Sequence, residues 1–342
     1  MTKNSPPGEL ARAGDLGLLP RFAPAEAPGP GGAIKQHLIA LGLKAPAIEI
    51  ADRLVRGYIR YWPLERGRRR MWNWYWQHVG QRTELQPKVA KTPFGFSVHV
   101  QPQDWLQMII WLTGRWEPFI TECFRRTLAP GDTFIDVGSN IGYYSLLASR
   151  IVGRSGHVYS IEASPASLAQ LRHNIALNHA DNVEVIQAIV SDHDGEQEFW
   201  WSPAGCSTSV QSLASAKGMH SEGRIRCRAL TSIVPADQLL NARLIKIDVE
   251  GAERAVLEPL IKRLPEFSKR TVWAVEVMPE CRPGEHPDVA WVFDSFLRNG
   301  YVAFTMRNDY SPATCLSRPK AVELERSMAV PTSLTDVLFL RE

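Results

Sequence analysis

One short segment constrains this chain more than any other. Residues 133–137 (TFIDV) form an apolar, β-branched run that closes on Gly138 and passes through Ser139-Asn140-Ile141-Gly142 into a helical pattern. A buried strand ending in a glycine turn that opens a helix belongs to an open α/β sheet, in which ligands meet the carboxyl ends of the strands. The theme recurs at 157–163, 183–190, 244–249 and 271–277, and a helical stretch at 165–178 puts Leu168, Leu171 and Ile175 on one face. Ser164-Pro165 opens that helix with a capping hydroxyl and a proline in first position. Strands this apolar, alternating with helices, predict a mostly parallel sheet covered on both faces. Further strand-like pieces lie at 196–200, 224–230, 301–306 and 335–340, and no internal repeat is present.

The glycine loop lets the turn tighten at Gly138 and lets helix and ligand approach closely at Gly142. Asn140 stands where a dinucleotide fingerprint has its middle glycine, so a cofactor without a pyrophosphate fits better. Glu162 ends the second strand, 24 residues beyond Gly138. A carboxylate there accepts hydrogen bonds from both hydroxyls of a ribose; the bland alternative is a solvated strand-end acid. Asp192 follows the third strand. It is placed either to reach an adenine amine or merely beside the tight turn at Asp194-Gly195, and both readings stand.

Together these segments resemble the FkbM family of S-adenosylmethionine-dependent methyltransferases. The resemblance is carried by FIDVGSNIGYYSLLAS at 134–149, YSIEASPASLAQLRHNIALN at 159–178 and LIKIDVEGAERAVLEPL at 244–260, with support from GRWEP at 114–118, CSTSV at 206–210 and RALTSI at 228–233. It implies a class I methyltransferase-like (Rossmann-like), mostly parallel seven-stranded sheet with an N-terminal, mainly helical extension. It also implies that Asp136, Gly138, Asn140 and Gly142 hold the methionine part of S-adenosylmethionine, and Glu162 its ribose, with Ser164 and Asp192 beside them. Family members mostly methylate hydroxyls of sugars or polyketides, and some methylate amide nitrogens of peptides.

Asp248, Glu250 and Glu253 crowd the end of the 244–249 strand, and Glu276 is the other acid in an apolar strand. A charge in such a strand is expensive unless paired. One reason for it is catalysis: Asp248, with Glu250 and Glu276, takes the proton of an attacking hydroxyl or shapes the acceptor pocket. A second is an ion network of Lys246, Asp248 and Glu250. A third is a divalent metal on Asp248, Glu250 and Glu276, since carboxylate oxygens suit magnesium; metal-free chemistry is favoured. Trp116 and Glu117, inside the resemblance, are candidates for the substrate side.

Residues 1–32 read as a flexible Pro/Gly-rich tail, 33–126 as a mainly helical cap or dimerisation region, and 127–342 as the cofactor-binding catalytic domain. Within the middle region ERGRRR at 65–70 reads as a charged link, and 104–126 as a helix. The WNWYW run at 72–76 suits core packing or an oligomer contact first, a sugar platform second and nucleic acid third, because the basic run is short and no RNA-binding signature accompanies it; a weak membrane-surface role for the Arg/Trp stretch also stays open. A net charge of +3 creates no global field, and 44% apolar with 22% charged residues excludes a disordered or fibrous chain. The five cysteines form no CxxC pair, the start has no apolar run, and the longest apolar stretches are strand-length. A cytoplasmic protein without a transmembrane segment is therefore expected. The leading expectation is O-methylation of a small hydroxylated metabolite. Its rivals are N-methylation of a peptide side-chain amide, a nicotinamide-dependent oxidoreductase, disfavoured by Asn140, and a scaffold that kept the sheet and lost activity.

Overall fold

The computed structural model describes residues 45–76, 86–202, 207–210, 214–215, 218–277, 287–306, 310–319 and 324–341. The tail expected at 1–32, the start of the helical region at 33–44 and Cys206 lie outside them. From Ala45 to Glu342 the chain forms one compact unit.

The first described region holds helices α1 (Ala45–Tyr61) and α2 (Glu65–Tyr75), an antiparallel hairpin of β1 (Lys88–Lys91) and β2 (Ser97–Val100), and helices α3 (Trp105–Thr113) and α4 (Pro118–Thr127). Two expectations change here. The ERGRRR segment is the first half of α2 rather than a link: arginine is a good helix former, and Glu65 sits favourably in the first turn. The helix expected over 104–126 is two helices. Asp104 caps α3 by accepting from Gln107 N, Gly114 ends it in the left-handed conformation (φ 75°), and Pro118 opens α4.

The α/β part runs β3 (Thr133–Val137), α5 (Tyr143–Val152), β4 (His157–Glu162), α6 (Pro165–Leu177) and β5 (Val183–Gln187). It continues with β6 (Ile189–Val190), β7 (Gly195–Trp201), β8 (Ser207–Thr208), β9 (His220–Arg228), α7 (Leu230–Ile233) and α8 (Ala236–Leu240). Then come β10 (Leu244–Ile247), α9 (Glu253–Ile261), β11 (Val272–Val277), α10 (Pro287–Arg298), β12 (Tyr301–Met306), α11 (Pro312–Cys315), β13 (Glu325–Ser327) and β14 (Thr335–Arg341). The main sheet has the order β13-β12-β14-β11-β10-β3-β4-β5, with β3, β4, β5, β10 and β11 parallel and β14 antiparallel to both its neighbours. It has eight strands, not the expected seven; the addition is β13, three residues from the long polar connection, paired antiparallel to the edge of β12. The 183–190 run is also not one strand. It breaks at Ala188, whose N–H donates to Glu162 O, and Ile189–Val190 join a separate sheet of order β6-β9-β7-β8.

Alternate residues of each central strand enter two cores, as the two-residue period of a strand requires. Phe134, Leu244, Ala274 and Leu338 face a cluster that includes Ile59, Trp72, Trp111 and Phe124, so the N-terminal helices cover this side. Ile135, Ile245, Trp273 and Phe339 face the cluster closed by Val256, Leu260, Phe293 and Phe296 of α9 and α10. Trp72 and Trp76 meet Trp105 edge-on, which makes much of the WNWYW run core. Among the described residues no helix is long and apolar enough to cross a membrane.

The outer edge of β2 is satisfied by side chains instead of a strand. Asn174 of α6 accepts from His99 N at 2.7 Å and donates to Ile141 O at 2.9 Å, and Asn178 accepts from Ser97 N at 2.8 Å and donates to Ser97 O at 2.6 Å. Gln170, one turn earlier, donates to His99 O. Asn174 is fully buried. Asn174→Ala would leave two backbone groups without partners at about 1–3 kcal/mol each. Urea denaturation is expected to show a loss of about 2 kcal/mol or more with an unchanged m-value.

Candidate functional site

A cleft opens at the carboxyl ends of β3, β4 and β10. Its lining includes Gly138 and Asn140 from the first loop, Glu162 and Ala163 from the second, and Asp248 to Glu250 from the fourth parallel strand. Ala188, Ile189, Val190 and Phe199 give it an apolar wall, and Ser207 and Ser209 complete the rim. The first loop is anchored by the N–H groups of Gly138 and Ser139, both donating to Ile161 O at 3.0 Å. Gly138 has φ 80°, and a Cβ there would lie 1.8 Å from the carbonyl oxygen of Asp248, so only glycine lets the two loops touch. The Glu162 carboxylate accepts from Asn140 N at 2.7 Å and from Ser164 N at 2.8 Å. Burial nevertheless raises its pKa to about 7, against the pull of these backbone donors.

Behind the cleft lies a buried polar network. Lys246 donates to Asp248 Oδ2 at 2.8 Å. Burial would lower the lysine, but Asp248 and Asp136 outweigh it and hold the ammonium well above its ordinary value. Burial likewise would raise Asp248, but Lys246 beside it and a hydrogen bond from Glu276 keep its carboxyl below the usual range. Glu276 goes the other way: burial, then the neighbouring Asp248 and Asp336, push it well up and favour its protonated form. Glu117 accepts from Tyr144 OH at 2.5 Å and from Tyr310 OH at 2.7 Å, and the Tyr310 hydroxyl stands 3.1 Å from Glu276 Oε1. Trp116 stacks on Tyr310 with ring centres 5.6 Å apart.

Among the described residues five non-glycine residues have positive φ, and four of them are here: Glu117, Asn140, Glu250 and Tyr310. Such conformations cost about 1–3 kcal/mol each and gather where surrounding contacts enforce them.

The structure thus brings Gly138, Asn140, Glu162, Asp248 and Glu250 to one cleft and leaves others elsewhere. Gly142 caps α5 from below the loop, and a Cβ on it would meet only the Leu171 side chain. Ser164 is the buried cap of α6, accepting from Ser167 N. Asp136 lies beneath the sheet end, fully buried, accepting from Ser145 Oγ at 2.6 Å, and is not part of the cleft wall. Asp192 is half exposed, bonded to its neighbour His193 at 2.7 Å, and lies outside the lining. Glu250 precedes α9 instead of sitting on it. Its carboxylate accepts from Ser207 N and its carbonyl from Thr208 Oγ1, so it pins the 207–209 loop over the cleft. Among the described residues Asp248, Glu250 and Glu276 do not converge as a metal triad; the carboxylates that do, with oxygens within 4.8 Å of one another, are Glu117, Glu276 and Asp336. Sequence reasoning missed Tyr144, Tyr310 and Asp336. Asp336 opens an apolar strand as Asp248 closes one, which is the signal available; nothing in the local sequence marks Tyr310.

A parallel sheet with β14 reversed between β11 and β12, a glycine loop after β3 and a carboxylate ending β4 is that of a class I methyltransferase. The family model of the methyltransferase FkbM domain matches residues 136–302, and this part of the chain is similar to that domain. Three curated relatives give the range of similarity. The arsenite methyltransferase of Halobacterium salinarum is 42% identical over 57 residues, 17% of this chain and 15% of its own. Methyltransferase 1 of Beauveria bassiana is 30% identical over 162 residues, 42% of this chain and 65% of its own. The 31-O-demethyl-FK506 methyltransferase FkbM of Streptomyces tacrolimicus is 30% identical over 171 residues, 41% of this chain and 65% of its own. The chain spans less than two thirds of each.

Proposed function

We propose that this chain transfers the methyl group of S-adenosylmethionine to a hydroxyl oxygen of a sugar-containing or polyketide-like metabolite, with residues 127–342 as the catalytic part, completed by Trp116 and Glu117. The observation that carries the proposal is the arrangement of Glu162 and Asp248 on either side of the Gly138 contact, one held by backbone donors and the other by Lys246. The residues fit the cofactor. Glu162 offers a carboxylate to paired ribose hydroxyls, the wall of Ala188, Ile189, Val190 and Phe199 suits a flat apolar base, and no cradle for a pyrophosphate is needed. When bound, S-adenosylmethionine supplies a methyl group on a positively charged sulfur.

The chain's own residues then align and deprotonate. Asp248 is ionised and its side chain is one-third exposed toward the cleft, so it is the group able to take the hydroxyl proton. Held low by Lys246, it is a weak base, but the acceptor oxygen becomes strongly acidic as its bond to carbon forms, and a weak base then suffices. Glu276, buried and protonated, donates to Asp248 and fixes its orientation. Glu250 positions the rim. Most of the rate comes from holding acceptor and methyl group in line.

Calorimetric titration with S-adenosylhomocysteine, the demethylated product, tests the donor site, and mass-spectrometric detection of a methylated glycoside or polyketide tests transfer. Ribose hydroxyls donate to ionised Glu162, so binding expels its proton. Affinity is expected to fall by up to about tenfold per pH unit below about pH 7 and to be flat above it. Without ligand the sign reverses: the raised pKa means the folded chain binds the extra proton between the ordinary 4.5 and about 7, so this group's contribution to stability declines as pH rises through that window. Absence of binding by a folded sample removes the proposal; binding with no pH dependence removes Glu162 from the ribose.

A further inference from the structure

The outer side of α1 is apolar where a solvated helix would be polar. On α1 the inward stripe is accounted for: Asp52 accepts from Tyr75 OH, Arg56 lies 3.7 Å over the Trp111 ring, Ile59 is fully buried, and Arg60 donates to the carbonyls of Trp111 and Leu112. Half a turn away Ile50, Leu54 and Tyr61 are 58%, 69% and 74% exposed. Leu64 in the connection and Trp74 on α2 are exposed as well. Helix faces with the period of α1 bury one stripe, and a second apolar stripe on the opposite side implies a second apolar neighbour.

The charge around this face says what the neighbour is. Residues 45–76 hold seven arginines against three acids, a net +4, more than the +3 of the whole chain, so the remainder is slightly acidic. Arg53, Arg66, Arg69 and Arg70 are exposed. Of the acids, Asp52 is paired with Arg56, and Glu65 lies 3.8 Å from Arg69. A second copy of this chain would set arginines against arginines across a two-fold axis. A nucleic acid would engage the indoles and arginines but gain little from Ile50, Leu54 and Leu64, which have no face on which a base can stack. An anionic bilayer uses all three kinds of residue: aliphatic side chains enter the acyl boundary, Trp and Tyr sit at headgroup level, and arginines meet phosphates.

We propose that the outer face of α1 docks the chain onto an anionic phospholipid bilayer, with Leu54 as the inserting side chain and Arg53, Arg66, Arg69 and Arg70 as its electrostatic ring. The proposal is independent of the methyl-transfer chemistry. Co-sedimentation of the full chain with vesicles of phosphatidylcholine alone, and with phosphatidylglycerol added, tests it. Binding is expected only with phosphatidylglycerol, with release at about 0.5 M salt. Leu54→Glu is expected to abolish it, and the double variant Arg66→Glu, Arg69→Glu to weaken it at least about 25-fold, taking about fivefold for each arginine. All three positions are exposed, and unchanged melting temperatures confirm that the variants are folded. The proposal is overturned by no sedimentation with phosphatidylglycerol vesicles at low salt, by equal binding to both lipids, or by binding that the variants leave intact. It is equally overturned by a dimer that Leu54→Glu splits in light scattering, or by binding to single-stranded oligonucleotide but not to vesicles.

Discussion

Asp248→Asn is expected to lower the turnover number about 10²–10⁴-fold, the range lost with a general base, while leaving S-adenosylhomocysteine binding near that of the unaltered chain. The two effects separate because the thioether of the product is uncharged and gives Asp248 nothing to attract. The substitution keeps the shape of the side chain, and its amide oxygen still accepts from Lys246, which Asp136 also holds in place. What it removes is the one carboxylate of the network that is both ionised and open to the cleft. Steady-state rates measured beside calorimetric affinities check this. Equal losses in both would mean that Asp248 shapes the donor site, and an unchanged rate would move the base elsewhere.

Gly138→Ala is expected to damage the fold itself. The residue has φ 80°, and its new Cβ would sit 1.8 Å from a backbone oxygen, which cannot rotate away as a side chain does. The left-handed conformation costs a residue with a Cβ about 1–2 kcal/mol, and parting two packed backbones costs a further 1–3 kcal/mol or so, about that of an overpacked core. A melting temperature lower by roughly 3–7 °C, or loss of soluble protein, follows from about 2–5 kcal/mol in a chain of this size. Gly142→Ala is the control. Its Cβ would meet only Leu171 Cδ1, at 2.5 Å, and that methyl group can turn aside, so the penalty is expected to be smaller. If both variants melt alike, steric contact between the first and fourth strand loops is not what glycine serves here.

The contrast between these glycines also shows what a single sequence can and cannot reveal. The cleft was legible because its parts are local: a β-branched run, a glycine turn and a strand-end acid leave marks within a few residues of one another, and Gly138, Glu162 and Asp248 do meet. Asp136 shares that local signature, yet the two-residue period of β3 puts it on the face opposite Val137, which lines the cleft, and into contact with Ser145. The Glu117–Tyr310–Glu276 cluster was illegible for the opposite reason. Its members are far apart in sequence, and two of them reach the site through strained backbone that no propensity favours. The asparagines of α6 were hidden differently. Gln170, Asn174 and Asn178 recur at the helical period like any solvated stripe, and only the hairpin lying against them makes Asn174 buried. The break at Ala188 left no mark because both halves of the run are equally β-branched.

The position of β14 in the main sheet has a consequence for the birth of the molecule. This strand lies between β11 and β12, both of which precede it in sequence. At roughly 5–20 residues per second a ribosome needs on the order of 2–7 s to travel from Met306 to Arg341. Throughout that interval the nascent chain holds two finished strands with a gap between them, each showing a row of unsatisfied amides and carbonyls to any strand that passes. The wedge that fills the gap, with Val337, Leu338 and Phe339 all buried, arrives after everything it must separate. Such a sheet cannot be completed in the order in which it is made. Until β14 emerges, those two edges are the places where the growing chain is open to mispairing.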